Sequence, residues 1–342
     1  MSGTISAAGL EILVPGPLTT VQDMGRFGML GSGICPSGAL DQPAARLANA
    51  LAGNAAYGED VPAVLEMTLL GITAVFGVDT IFAVTGAAMP LTLNGQPINA
   101  YESICANAGD ELKCGFAESG CRAYLAVAGG FVVPRVMGSR STHLKCGFGG
   151  FDGRKLRAGD VLPISSAGSH VKAGVRGSTG MHPHEAGTPW VVRVADGPQL
   201  DRFSGAAVEE FLRAEYTVSP QSDRMGVRLD GPAFTSEKGS DILSDGIPLG
   251  AIQITNNGQP IALLADRQTI GGYAKPFVVI NADIPIMAQL RPGEKVRFSR
   301  VSMREARRRN DEAWNIAALM VRLVEDEHSG TMNIFGFKVR KG

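Results

Sequence analysis

A dense group of functional side chains follows a short apolar run in the last third of the sequence. The run 260–264 is predicted to be a buried strand that ends in a polar turn. Gly271 and Gly272 then allow positive φ and let a ligand approach the main chain. The stretch 265–275 is therefore predicted to line a site, against the alternative of a solvated polar turn. It supplies a carboxylate, a guanidinium, a carboxamide, a hydroxyl, a phenol and an amine: Asp266, Arg267, Gln268, Thr269, Tyr273 and Lys275.

Two further clusters combine a carboxylate with an arginine a few residues away. Asp23 precedes Arg26, with Ser37 downstream, and Asp223 precedes Arg224. Each is predicted to form an ion pair that presents a guanidinium to a carboxylate or an amide. The alternative is a structural ion pair that pins a loop.

A carboxamide completes the set of candidate binding groups. Gln253, together with Gln268 and Tyr273, offers both donors and acceptors. Such groups suit a planar amide or ureido ligand.

Other chemistries lack their usual motifs. The five cysteines have no Cys-x-x-Cys spacing, which argues against a disulfide framework and a structural zinc site. His182 and His184 stand beside Glu185 without a rigid ligand set, so no metal is predicted. The glycine-rich run 147–150 lacks the Gly-Lys-Ser/Thr ending of a phosphate loop, so this chain alone is not predicted to bind a nucleotide.

Composition narrows the class of protein further. The 342 residues carry a net charge of −1, so neither nucleic acid nor an anionic membrane is an expected partner. No segment reaches about 18 apolar residues, and the N-terminus lacks a secretory signal. A cytoplasmic protein of two lobes is expected.

The turn chemistry predicts a mainly β fold with a few helices. Its 44 glycines bound many short apolar runs, as in a barrel or a sandwich. The runs 156–162 and 290–296 share an Arg-x-Gly-acid turn, which indicates internal duplication. We predict lobes at 10–163 and 190–300, a linker at 164–189, and a C-terminal helix and tail at 302–342. Capping residues place the helices after Asp41, near Ser204, and from Ser302 to about Glu325.

Several of these motifs together resemble a known family. They are 21–26, 36–41, 65–68, 123–130, 138–142, 222–226 and 266–275. In this order they resemble the biotin-dependent carboxyltransferase family, also called allophanate hydrolase subunit 2, which includes the C subunit of prokaryotic 5-oxoprolinase. The resemblance implies two cyclophilin-like β-barrel lobes. The sequence departs from the family's pattern at Ile270 and Ala274, where relatives usually have Thr and Pro.

The resemblance also implies partners and a reaction. Members act with a kinase-inhibitor-like B subunit, and 5-oxoprolinase adds an A subunit to open the lactam of 5-oxo-L-proline (pyroglutamate) to L-glutamate with ATP hydrolysis. The complex uses ATP, and no cofactor is expected on this chain alone. The alternatives are the carboxyltransferase component of a urea-type carboxylase that uses carboxybiotin, and a non-catalytic regulator that binds a kinase-inhibitor-like partner.

The site residues follow from the motifs and the resemblance together. Asp266, Lys275 and Tyr273 are the catalytic candidates. The predicted substrate-binding residues are Gln253, Gln268, Thr269, Gly271, Gly272, Arg26, Asp23, Ser37, Asp223 and Arg224.

Overall fold

The computed structural model describes residues 9–166, 171–178, 187–236, 238–334 and 337–340. His182, His184 and Glu185, like part of the predicted linker, lie outside this range. The chain divides into two compact units. The first draws on Met1–Gly25, Asp41–Met181 and Ile316–Gly342, and the second on Arg26–Leu40 and His182–Asn315.

The first unit is built from two antiparallel sheets and a helix. The elements are β1 (Gly9–Val14), β2 (Leu18–Gln22), α1 (Gln42–Leu51), β3 (Val64–Thr68), β4 (Thr73–Phe76), β5 (Thr80–Ala88), β6 (Leu91–Leu93), β7 (Gln96–Ile98), β8 (Ile104–Ala106), β9 (Glu111–Cys114), β10 (Ser119–Val127) and β11 (Val161–Pro163). The sheets have the orders β11-β1-β4-β9-β6-β7 and β2-β3-β10-β5-β8. Buried side chains such as Leu10, Phe76, Phe82 and Leu125 form the core.

The second unit contains a closed barrel. The elements of this unit are β12 (Trp190–Asp196), α2 (Gly205–Arg213), β13 (Tyr216–Val218), β14 (Gly226–Asp230), β15 (Asp241–Gly246), β16 (Ala251–Ile254), β17 (Pro260–Leu263), β18 (Ile270–Tyr273), β19 (Phe277–Val279), α3 (Ile284–Gln289) and β20 (Lys295–Arg300). The barrel strands follow the order β12-β19-β16-β17-β14-β13-β20. Phe211 of α2 stacks on Phe277 and Phe298 in the core. The predicted mainly β fold is confirmed.

A two-stranded ribbon accompanies the barrel in the second unit. Strands β15 and β18 pair antiparallel, with Asp245 opposite Gly271 and Gly246 opposite Ile270. The register shifts between Asp241 and Asp245, which marks a bulge. The ribbon therefore holds part of the predicted site stretch on regular backbone.

An early segment of the chain belongs to the second unit. The backbone N–H of Ser37 donates to the carbonyl of Ala265 over 3.3 Å, and Arg224 donates to the carbonyl of Gly38 over 2.7 Å. The predicted boundaries assigned residues 26–40 to the first lobe. The structure differs because these long-range hydrogen bonds leave no local signal in the sequence.

The helix starts predicted from capping residues agree with the structure. Asp41 accepts from the N–H of Ala44 at the start of α1, and Ser204 caps α2. Helix α4 (Met303–Ser329) begins after Ser302, whose hydroxyl accepts from the N–H of Glu305, and continues beyond the predicted end. Strands β21 (Thr331–Ile334) and β22 (Phe337–Arg340) form a hairpin after it. In the described part of the chain no helix is both long and apolar enough to cross a membrane.

Candidate functional site

Asp266 is held in a buried ion pair with Arg224. The Nε of Arg224 donates to Oδ2 over 2.9 Å, and a terminal nitrogen donates to Oδ1 over 3.2 Å. Because both carboxylate oxygens accept from one guanidinium, this pair fixes the turn after β17. The geometry gives Asp266 a positioning role, and its predicted action on substrate stays a prediction.

The segment containing Ser37 lies over this turn. Ser37 is buried with φ of 52°, a left-handed conformation that is uncommon outside glycine. Its hydroxyl is 3.7 Å from the Sγ of Cys35. Burial is the main cause that raises the pKa of the Cys35 thiol, so the thiol is protonated at neutral pH and is not an activated nucleophile.

The carboxylates of the two Asp–Arg motifs bind backbone and hydroxyl groups. Asp223 accepts from the N–H groups of Met225 and Gly226 over 2.8 and 3.2 Å. In the first unit, Asp23 accepts from the hydroxyls of Ser139 and Ser141 over 2.7 and 2.5 Å. Both carboxylates therefore fix loops. Arg26 is buried in the second unit.

Gly271 and Gly272 do not use the positive φ that glycine allows. Positive φ occurs at other glycines, whereas these two lie in strand β18. Close approach explains Gly271 instead, because a Cβ there would lie 2.9 Å from Nε2 of Gln253 and 2.8 Å from Cδ1 of Ile247. Pairing with β15 keeps the main chain extended in this strand.

Gln253 presents a buried donor next to Gly271. Its side chain is 2% exposed, and Nε2 has no hydrogen-bond acceptor among the described residues. Its Oε1 accepts from Nε2 of the more exposed Gln268 over 3.4 Å, a long hydrogen bond. Since buried polar atoms are nearly always paired, this amide is a candidate to bind an acceptor beyond the described residues.

Lys275 provides a second buried donor. It is fully buried, and its Nζ makes no hydrogen bond within the part of the chain that the structure describes. The carboxylate of Asp245 lies 3.5 Å away, so it balances the charge at a distance too long for a good hydrogen bond. The N–H of Gly246 and then the ammonium of Lys275 lower the pKa of Asp245, which stays ionised.

The ribbon lies next to each of these donors. Gly271, whose Cα borders the Gln253 amide, lies opposite Asp245 in the register. The carboxylate of Asp245 in turn lies 3.5 Å from Nζ of Lys275. An amide N–H and an ammonium without acceptors can hold a carbonyl or carboxylate oxygen.

The other residues of the stretch lie around these donors. Ile270 is 63% exposed, so the departure from the family's pattern that the resemblance implies there lies on the surface. Tyr273 is half-buried on the same strand, and the carbonyl of Thr269 accepts from the N–H of Ile247. Ala274, the second difference from relatives, is fully buried in the barrel core.

Sequence reasoning missed Asp245 and Gln199. Oε1 of Gln199 accepts from the backbone N–H of Lys275 over 3.1 Å, which fixes the backbone of Lys275. Both glutamine and aspartate come from segments distant in sequence from 265–275. The pair Asp245-Gly246 has the composition of a turn, and nothing in the sequence pairs it with Gly271.

Fold and motifs define the class of protein. The chain matches the family model described as carboxyltransferase domain, subdomain A and B, over residues 32–300. The protein belongs to this carboxyltransferase family.

Within this family the chain is similar to 5-oxoprolinase subunits and to urea amidolyase. The chain is 41% identical over 297 residues to the C subunit of 5-oxoprolinase from Escherichia coli (strain K12), covering 87% of this chain and 93% of that protein. It is 39% identical over 305 residues to the corresponding 5-oxoprolinase subunit of Haemophilus influenzae, covering 88% and 95%. The structure of K. lactis urea amidolyase matches with a TM-score of 0.83 and 32% identity over 93% of this chain, which spans 20% of that larger chain.

Proposed function

We propose that this chain is the C subunit of an ATP-dependent 5-oxoprolinase, which hydrolyses 5-oxo-L-proline to L-glutamate together with the A and B subunits. The observation that carries the proposal is the pair of buried donors, Gln253 Nε2 and Lys275 Nζ, which lack hydrogen-bond acceptors among the described residues. The relatives named as the C subunit of 5-oxoprolinase support it, because this chain covers nearly their whole length.

The substrate has the groups that these donors require. A five-membered lactam carries a ring carbonyl and a ring N–H, and 5-oxo-L-proline adds a carboxylate. Lys275 donates to one of these oxygens and stabilises negative charge that develops on it when the ring amide is attacked. Gln253 orients the planar amide through its carboxamide, and the carboxylate of Asp245, 3.5 Å from Nζ, holds Lys275 in place.

A test follows from the requirement for partners. The purified chain, combined with the A and B subunits, should release glutamate from 5-oxo-L-proline only when ATP is present. Each component should be inactive by itself. Glutamate measured by an enzyme-coupled assay gives the rate, and loss of ATP dependence would contradict the proposal.

The second candidate is the carboxyltransferase component of a biotin-dependent urea-type carboxylase. The family description and the match to urea amidolyase favour it. In that case carboxybiotin supplies the carboxyl group, and Gln253 and Lys275 hold the planar amide that accepts it. Carboxybiotin-dependent modification of urea, without glutamate release from 5-oxo-L-proline, would replace the first proposal with this one.

A further inference from the structure

The two buried donors of the candidate site are closed off from solvent. Lys275 is 0% exposed and Gln253 is 2% exposed. A ligand therefore meets Nζ or Nε2 only after a neighbouring segment has moved. Both strands of the ribbon are such neighbours, since β18 approaches Gln253 at Gly271 and β15 approaches Lys275 at Asp245.

Strand β15 is the less buried of these two neighbours. Five of its six residues are exposed, and Leu243 is 94% exposed, whereas three of the four residues of β18 are half-buried. Among the described strands β15 pairs with β18 alone, in a sheet separate from the barrel. A segment with so little buried surface opens at a low cost in free energy, so β15 is the part that moves.

Both ends of β15 are fixed to the rest of the second unit. Before the strand, the carbonyl of Ser240 accepts from the N–H of Ala274 over 2.8 Å. After the strand, the N–H of Ile247 donates to the carbonyl of Thr269 over 2.9 Å. The bulge gives β15 more residues than β18 over the same length, so its middle can lift while both ends stay in place.

The ion pair that joins β15 to Lys275 is unequal. The side chain of Asp245 is 54% exposed, and its Oδ1 accepts from the N–H of Gly246 over 2.7 Å. Water can replace the ammonium for this carboxylate, so separation costs it little, as in other surface ion pairs. The ammonium is fully buried and needs another negative partner when Asp245 leaves. Asp245 is therefore a replaceable partner of Lys275.

We propose that the ligand of this site carries a carboxylate that displaces Asp245 from Nζ of Lys275 and lifts the middle of β15. The inference rests on the proposed function, because it assigns the carboxylate of 5-oxo-L-proline to Lys275. An ammonium has three N–H donors, so a donor is left for the ring carbonyl after the carboxylate has bound. Urea and other neutral amides bring no charge to replace Asp245, and β15 should stay in place with them.

Removal of the Asp245 carboxylate is the first test. Isothermal titration of the full chain with 5-oxo-L-proline should give a Kd about threefold lower for Asp245→Asn than for the wild type, because the ligand no longer competes with an internal carboxylate. Asp241→Asn is the matched control, since it removes the same charge from an exposed position of the same strand. In the described part of the chain the Asp241 side chain has no ion pair, so this variant should leave Kd unchanged.

A neutral probe isolates the part played by the carboxylate. 2-Pyrrolidinone is the same lactam without the carboxylate, and it should bind the wild type about tenfold more weakly, as for loss of a charged hydrogen bond. Asp245→Asn should not strengthen its binding. If 5-oxo-L-proline binds neither the wild type nor Asp245→Asn, or binds the variant no more tightly, the proposal is overturned.

Hydrogen exchange measures the movement of β15 directly. The amides of Asp241–Gly246 should exchange faster with 5-oxo-L-proline bound, because the strand lifts from β18, and 2-pyrrolidinone should leave them unchanged. Slower exchange in β15 with 5-oxo-L-proline would overturn the proposal, since the ligand would then hold the strand down. Exchange in the barrel strands checks that the variants are folded.

The glutamate assay separates this inference from the proposed function. Absence of glutamate release, together with tighter binding to Asp245→Asn and faster exchange in β15, would reject the reaction and retain a carboxylate site at Lys275. Glutamate release without either effect would retain the reaction and reject the displacement of Asp245.

Discussion

The two ends of the stretch 265–275 show two different uses of a buried charge. At one end, both oxygens of Asp266 accept hydrogen bonds from Arg224. At the other, the ammonium of Lys275 is equally buried but has Asp245 only at 3.5 Å. A satisfied buried pair holds a loop, whereas an unsatisfied buried donor is arranged for a ligand. From the sequence alone, Asp266 and Lys275 are both charged residues of one polar stretch, and nothing separates their roles.

Breaking the ion pair between Arg224 and Asp266 should have the largest effect on stability. Arg224→Met leaves the Asp266 carboxylate buried without its guanidinium and should lower the free energy of unfolding by about 3–5 kcal/mol. Urea denaturation measures the change. The double variant Arg224→Met with Asp266→Leu should recover much of that loss, because no charge is then left unpaired. A single variant as stable as the wild type would contradict the structural role.

Filling the space between Gly271 and Gln253 with a methyl group should reduce activity. Gly271→Ala places a methyl group 2.9 Å from Nε2 of Gln253, so this donor must move. We expect kcat/KM of the reconstituted complex to fall by about tenfold, in line with an energy near 1.4 kcal/mol. Gly246→Ala on the partner strand is the matched control, since a Cβ there would meet no atom within 4 Å. Equal losses in both variants would argue against a specific site at Gln253.

His328 is a third buried polar group. Like the Asp266–Arg224 pair, it should affect stability and not activity. Nδ1 of His328 accepts from the N–H of Lys172, and Nε2 lies 3.1 Å from the carbonyls of Ala50 and Leu51. Burial is the main cause that lowers the pKa of His328 below its ordinary 6.5. Its contribution is therefore complete above pH 6.5 and is lost as the pH falls from 6.5 towards the lowered pKa.

The measurement for His328 is the melting temperature as a function of pH. The wild type should lose stability below pH 6.5 relative to His328→Gln, which cannot titrate there. Parallel curves for the two proteins would show that His328 does not contribute. Activity at neutral pH should be the same in both, because the hydrogen bonds of His328 go to Lys172, Ala50 and Leu51 and not to the ribbon.

Local features of this fold were predictable, and long-range ones were not. Asp41, Ser204 and Ser302 predict helix starts, because a capping side chain accepts a hydrogen bond from an N–H only three residues later. The partner of Arg224 lies 42 residues away, and no local pattern distinguishes it from the adjacent Asp223. Composition could place Lys275 in a site, but only the fold shows its burial and the missing acceptor.

The most direct test compares Lys275→Met with the exposed control Lys238→Met in the reconstituted complex. We predict that Lys275→Met lowers kcat/KM for 5-oxo-L-proline by about a hundredfold or more, as for loss of a charge-stabilising donor. Its free energy of unfolding should match or exceed that of the wild type, because an unsatisfied buried charge is removed. Unchanged kcat/KM with a loss of stability would make Lys275 a structural residue like Arg224 and contradict its proposed role in the site.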